Sequence, residues 1–314
     1  MSEKLKSYLR KYNLLFMLGF VLLIAIIMTK GVFIRPSNLI VILARASVFG
    51  IITLAQALVI INGDFDLSVG SLVAVSISVI ATFNESNSLM IASLMGILVV
   101  TGIGMVNGLL VAKTRVPSFI VTLGMMFIAR SISWVMIAGK NVVIHDYRNT
   151  IQPIFDSLPG GSNIFPILIL GLALLGTGLL LHKSIFGRYL YAIGDNKKTA
   201  VASGVPVTRV KIIVFIISGF LCSIAGIVYL YRVAGASPAI GSEFLLQSIA
   251  AATIGGVSLH GGEGTIWGIF TGIFILVSIT NILTIAGIPS TINQAFLGAI
   301  ILIAVLFQRW LKRN

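Results

Sequence analysis

Nine carboxylates, three histidines and one cysteine are all the acid, base and thiol that 314 residues supply, so any chemistry rests on few side chains. Two of the acids stand close together in Ile61-Asn62-Gly63-Asp64-Phe65-Asp66-Leu67-Ser68-Val69-Gly70-Ser71, which interrupts an apolar run. Carboxylates in such surroundings are costly unless they are solvated or paired. Asp66 is spaced to cap a helix that begins near Ser68, and Gly63 and Gly70 let the backbone bend. Two readings follow: a capped helix start with Asp64 paired to an arginine, or a hinge or gate at the mouth of a pathway. Proton coupling through these acids is a third. His145, His182 and His260 fall in different loops, which argues against a metal site and against a buried proton relay. Cys222 lies in an apolar run, so no disulfide framework or metal cluster is expected. Nothing resembles a catalytic constellation. The expectation is therefore no enzyme, no metal and no cofactor.

Arg45 and Arg130 sit inside apolar runs, where arginine faces a bundle interior or an aqueous cavity. They are candidates to line a path together with Gln56, Asn107, Ser131, Ser133, Trp134, Gln247 and Asn281. The competing reading is that they pair with Asp64 or Asp66, or reach an interface. A second glycine-rich stretch, residues 252–265, repeats the spacing of the first: Gly63/Gly255, Leu67/Leu259 and Gly70/Gly262 correspond. The sequence contains no G-x-x-x-x-G-K-[ST], so nucleotide binding by this chain is not expected.

The elements that must position these residues are membrane helices. Hydrophobic residues make up 57% of the chain and charged residues 10%, with mean hydropathy +1.07; soluble domains carry about 25% charged residues. A net charge of +13 suggests nucleic acid, but in a membrane protein the placement of Lys and Arg matters more than their sum. The basic start and long apolar run lead into Lys30-Gly31-Val32-Phe33-Ile34-Arg35 without a small-residue cleavage site, so this run is expected to be a span that is kept. About 20 apolar residues cross the hydrocarbon core. Ten runs qualify: 12–29, 38–61, 68–83, 89–112, 118–138, 165–181, 210–231, 244–257, 265–285 and 291–307. The third and eighth are short enough to be partial or re-entrant. With a cytoplasmic N-terminus, fifteen Lys and Arg fall in inside loops and five in outside loops, as the positive-inside rule demands. The expected fold is an all-α polytopic membrane protein of about ten transmembrane helices, with both termini cytoplasmic and residues 1–314 forming a single domain. Residues 139–163 are its main extracytoplasmic loop and 183–209 its main cytoplasmic one. Small-xxx-small spacings at Gly104/Gly108, Gly264/Gly268/Gly272, Ala251/Gly255 and Ala252/Gly256 predict close helix crossings.

Residues 183–211 form the longest cationic stretch between two apolar runs. Asp195-Asn196 can cap a short helix, 197–203 supply about two turns, Gly204 stops it and Pro206 forbids its return. Two turns do not hold in water unaided, and Lys197 and Lys198 oppose the helix dipole. Such a helix is expected to dock against a cytoplasmic partner that moves a channel.

Several blocks together resemble ribose-type ABC transporter permeases. They are Asn62 to Ser71; Val116-Pro117-Ser118-Phe119-Ile120-Val121-Thr122-Leu123-Gly124 with Ile128-Ala129-Arg130; Gly187 to Asn196 with Ser203-Gly204-Val205; and Ile249-Ala250-Ala251, Ile254 to Leu259 and Gly264-Thr265-Ile266-Trp267-Gly268. The resemblance covers roughly residues 35–308. It implies two permease chains forming a channel, two ATP-binding cassette subunits beneath it, and an extracytoplasmic binding protein that delivers a monosaccharide. Residues 192–205 would be the coupling helix that meets the ATPase, with Gly194, Asp195, Asn196, Lys197, Lys198, Ala200, Ser203 and Gly204 as its contact and shaping residues. Lys197-Lys198-Thr199 replaces a commonly acidic and alanine-rich run, which implies an acidic rim on the partner. The signature leaves Asp64 without a role. Arg45, Gln56, Asn62, Asp64, Asp66, Ser68, Asn107, Arg130, Trp134 and Gln247 are the expected path or gate residues. The alternative is an ion-gradient-driven secondary transporter of a small polar solute. No sugar is singled out, and homodimer and heterodimer both stay open.

Overall fold

The computed structural model describes residues 3–289, apart from 145 and 159, together with residues 295, 298 and 299. The expected last span, 291–307, therefore lies outside the described residues except for 295, 298 and 299, and His145 lies outside them. Twelve α-helices and one two-residue strand pair are described. In order they are α1 (Glu3–Met28), α2 (Pro36–Ile61), α3 (Val69–Asn84), α4 (Leu89–Lys113), α5 (Ser118–Met136), β1 (Val142–Val143), α6 (Asp146–Phe155), α7 (Ile164–Lys183), α8 (Ile185–Asp195) and α9 (Lys197–Ala202). The chain continues with α10 (Val207–Val233), β2 (Gly235–Ala236), α11 (Phe244–Ile254) and α12 (Ile266–Ile285).

Among the described residues, six helical stretches are long and apolar enough to cross a membrane; they correspond to α2, α4, α5, α7, α10 and α12. The apolar parts of α1, α3 and α11 are shorter. At 1.5 Å per residue the 16 residues of α3 reach about 24 Å and the 11 of α11 about 16 Å. Both of the runs marked as short in the sequence are thus short helices. Each is preceded by non-helical chain, residues 62–68 before α3 and 237–243 before α11.

The core is built on α2, α3 and α10, which pack on one another and carry α4, α5, α7, α11 and α12 around them. From Ala46 to Ile61 every residue of α2 is buried, whereas α4, α5 and α7 leave apolar side chains such as Leu98, Phe127 and Leu172 exposed. That difference suits an inner helix surrounded by protein and outer helices facing lipid or another chain. The small-residue spacings mark the tightest crossings. A Cβ on Gly104 would come within 2.5 Å of Phe215 O on α10, and one on Gly268 would overlap Gly255 O at the end of α11. Backbones meet there because no side chain intervenes.

The two ends of the bundle are distinct. At one end, 139–163 is more than a loop: β1 pairs antiparallel with β2 (Val142 with Ala236), Asn84 Nδ2 donates to Asp146 at 2.6 Å, and Tyr231 donates to Ser162 O at 2.8 Å. At the other end lie residues 61–68, 114–118, 183–209 and 258–264. Here the cationic segment holds an additional helix, α8, ahead of the short helix expected from the sequence. Ser184 caps α8 by accepting from Gly187 N at 3.0 Å.

Candidate functional site

The short cationic helix forms as its residues dictate. Asn196 Oδ1 accepts from Thr199 N at 3.1 Å, capping α9. At the other end Gly204 adopts φ +78, and Val205 N donates to Ala200 O at 3.0 Å. A left-handed residue at that position favours glycine, which closes the helix at little steric cost. Asp195 to Thr199 and Val201 to Gly204 are exposed, while Ala200 is turned into its own chain. Of the eight expected contact residues, Ala200 is therefore the one whose side chain anchors the helix rather than faces outward.

Three turns converge behind α9. Gly262 N donates to Ile61 O at 2.9 Å, and Gly194 is wedged so closely that a Cβ there would overlap both of those atoms. Gly63 faces Gly194 from the end of α2, with 3.5 Å from its Cβ position to Gly194 Cα. Tyr191 on α8 donates to Gly264 O at 2.7 Å, and burial raises its phenol above the ordinary value, which keeps the donor protonated. The end of α8, the end of α2 and the α11–α12 turn thus touch through backbone, with almost no compressible side chain between them.

Behind this knot, the broken segment 62–68 is held by polar groups from three helices. Lys211, in the first turns of α10, makes a buried ion pair with Asp64 at 2.5 Å, and Asn62 Nδ2 donates to the same carboxylate oxygen at 2.7 Å. The expectation of an arginine partner is corrected here. Lys211, at the start of the 210–231 run, begins the turn of α10 that faces residues 62–64. Asp66 is fully buried and accepts from Ser68 N at 2.9 Å, from Ser68 Oγ at 2.5 Å and from Ser218 Oγ at 3.1 Å. The expected cap by Asp66 is corrected here: Ser68 is the N-cap of α3 and makes no side-chain cap hydrogen bond, and Asp66 braces Ser68 from two residues before it. Asn107 of α4 donates to Ser68 Oγ at 3.0 Å. From α5, Ser118 and Thr122 Oγ accept from Phe65 N and Leu67 N at 3.1 and 3.0 Å. Five expected residues fall here in two neighbouring groups, Asn62 and Asp64 with Lys211, and Asp66, Ser68 and Asn107 with Ser218. Lys211, Ser218, Ser118 and Thr122 were missed. The available signal was the i, i+7 spacing of Lys211 and Ser218, which puts both on one stripe of α10.

The remaining expected residues lie elsewhere. Arg130 pairs with neither acid: its guanidinium donates to Pro238 O at 2.9 Å and Ile240 O at 2.6 Å, in the non-helical chain before α11. Backbone carbonyls without helix partners need such donors at membrane depth. Arg45 and Gln247 line a separate cavity of about 120 Å³ with Phe49 and Thr280. Gln56 is fully buried, and among the described residues neither its oxygen nor its nitrogen has a hydrogen-bond partner. Trp134 is exposed. Ser133 and Asn281 are used in helix contacts, with Ser78 at 2.7 Å and with Asn38 at 3.2 Å.

Comparison with known proteins supplies the family. Residues 38–305 match the family described as branched-chain amino acid transport system / permease component. The chain belongs to that permease family. The permease is 36% identical over 296 residues to the ribose import permease of Escherichia coli strain K12, covering 92% of this chain and 91% of the relative. It is 34% identical over 295 residues to the ribose import permease of Bacillus subtilis (92% and 90%). To the L-arabinose ABC transporter permease of Azospirillum brasilense it is 33% identical over 302 residues (95% and 87%). No solved structure matches it.

Proposed function

We propose that this permease is the membrane-spanning subunit of a binding-protein-dependent ABC importer that carries a monosaccharide into the cytoplasm, with ATP hydrolysed on a separate subunit. The family description speaks of branched-chain amino acids, whereas relatives matching nine-tenths of the chain are named for ribose, arabinose and fructose. Whole-length matches above 30% identity carry more weight than a broad family description, so a sugar is the better reading. The sequence carries no phosphate-binding G-x-x-x-x-G-K-[ST], so the motor is another chain.

The observation that carries the reading is the backbone knot of Gly194, Ile61 and Gly262 behind an exposed capped helix. A push on α9 is transmitted to the end of α2 and to segment 62–68 without slack. In this reading the chain spans the membrane about ten times with both termini cytoplasmic. A second permease copy completes the channel, the ATPase docks on α9, and the binding protein docks at the end that carries 139–163. Specificity then rests largely with the binding protein. Proton coupling is disfavoured because Asp64 is neutralised by Lys211.

The test is reconstitution in proteoliposomes with the ATPase and binding protein. Sugar-loaded binding protein is expected to stimulate both hydrolysis and uptake. Uptake that follows a proton gradient without ATP contradicts the proposal.

A further inference from the structure

Between the starts of α3 and α11 and the middle of α5 lies a cavity of about 310 Å³ that the coupling network does not use. Arg130, on its wall, stands twelve residues into α5, about 18 Å at 1.5 Å per residue, in a hydrocarbon core about 30 Å thick. The two interrupted segments meet here: a Cβ on Gly70 would overlap Gly241 O, and one on Gly241 would overlap Gly70 O. The wall is thus backbone against backbone near the middle of the membrane. Irregular backbone at that depth is tolerated only inside protein or along a water-filled cavity, and an intramembrane arginine obeys the same rule. The cavity therefore faces a pathway or another chain, not lipid.

Its polar lining is rich in donors. The first helical bond of α3 runs from Leu72 N to Ser68 O, which leaves the Gly70 and Ser71 N–H groups in the unpaired first turn. Ser71 lines the cavity and is only 1% exposed, and among the described residues its Oγ finds no hydrogen-bond partner. A buried hydroxyl left in that state costs about 1–3 kcal/mol. Arg130 uses one guanidinium nitrogen for Pro238 and Ile240, and no acid pairs with it among the described residues. On the same face of α5 as Arg130 stand Met126 and the exposed Phe127, an apolar surface for the C–H face of a saturated ring. The volume falls at the small end of ligand pockets, about 300–1,000 Å³.

We propose that this cavity is a mid-membrane transit subsite that receives one hydroxylated ring, with Ser71 and Arg130 contacting its oxygen atoms and Phe127 its apolar face. The proposal rests on the importer reading and adds the place where the channel itself touches the sugar. Two of its residues, Ser71 and Phe127, were not among the expected path residues.

The experiment uses the complete importer in proteoliposomes with ribose, L-arabinose and fructose, comparing wild type with Ser71→Ala and Ser71→Thr. Hydrolysis stimulated by the loaded binding protein reports assembly, and uptake per ATP reports passage. Ser71→Ala is expected to lower uptake per ATP about five- to tenfold, the scale of one lost hydrogen bond, and Ser71→Thr to retain most of it because the hydroxyl stays. Unchanged uptake per ATP in Ser71→Ala overturns the subsite, even if the variant is less stable. Failure of all three sugars to stimulate hydrolysis in the wild type instead overturns the importer reading.

Discussion

At the scale of single residues, Asp64 and Lys211 form a buried ion pair behind α9. Both side chains are buried, so removing one leaves an uncompensated charge, at a cost of about 3–5 kcal/mol. Lys211→Met alone is therefore expected to lower the thermal unfolding temperature of the purified permease sharply. The double change Asp64→Asn with Lys211→Met should recover most of the loss, because no bare charge remains. Equal destabilisation by single and double variants would mean the pair is not coupled. Asp64 was legible as a costly acid that needs a partner, but the partner's identity was not. Lys211 lies 147 positions away and reads as one more loop cation until α10 is turned toward the broken segment. Asp66 was more legible because its contact is local, with Ser68 two residues on.

At the scale of elements, α9 was readable almost to the residue because every signal that makes it is local: Asn196 to start, Gly204 and Pro206 to stop. The amphipathic α8 was not, since its apolar face matters only once α7 and α10 supply a surface. The shortness of α3 and α11 was legible as run length. That each is preceded by non-helical chain pinned by Arg130 or by Asn107, Ser118 and Thr122 was not, because those contacts are tertiary. The account makes α9 a rigid lever, so its backbone is the place to break it. Ala200→Pro removes a helical donor used toward Asn196 O, and Gly204→Val forces a branched side chain into φ +78. Both are expected to leave the permease in the membrane while uptake per ATP falls severalfold in proteoliposomes. Normal coupling in both variants would remove α9 from the mechanism.

At the scale of the whole molecule, the knot and the β1–β2 pair mark opposite ends of a bundle whose centre is α2, α3 and α10. The excess of Lys and Arg leads us to expect the knot end on the cytoplasmic side under the positive-inside rule. Native Cys222 is buried in α10, so a cysteine introduced at an exposed site dominates labelling. In intact cells a membrane-impermeant thiol reagent is expected to label Lys140→Cys and to spare Val201→Cys until the membrane is opened. The reverse pattern would invert the topology.

The central claim, that an external motor grips α9, is tested most directly by crosslinking. Val201→Cys lies on the exposed face of α9. In the assembled importer it should form a crosslink to the ATPase subunit through a short bifunctional reagent, with a yield that changes between nucleotide-free and ATP-bound states. A reactive Val201→Cys that never crosslinks to the ATPase while sugar uptake runs at the normal rate would contradict the account.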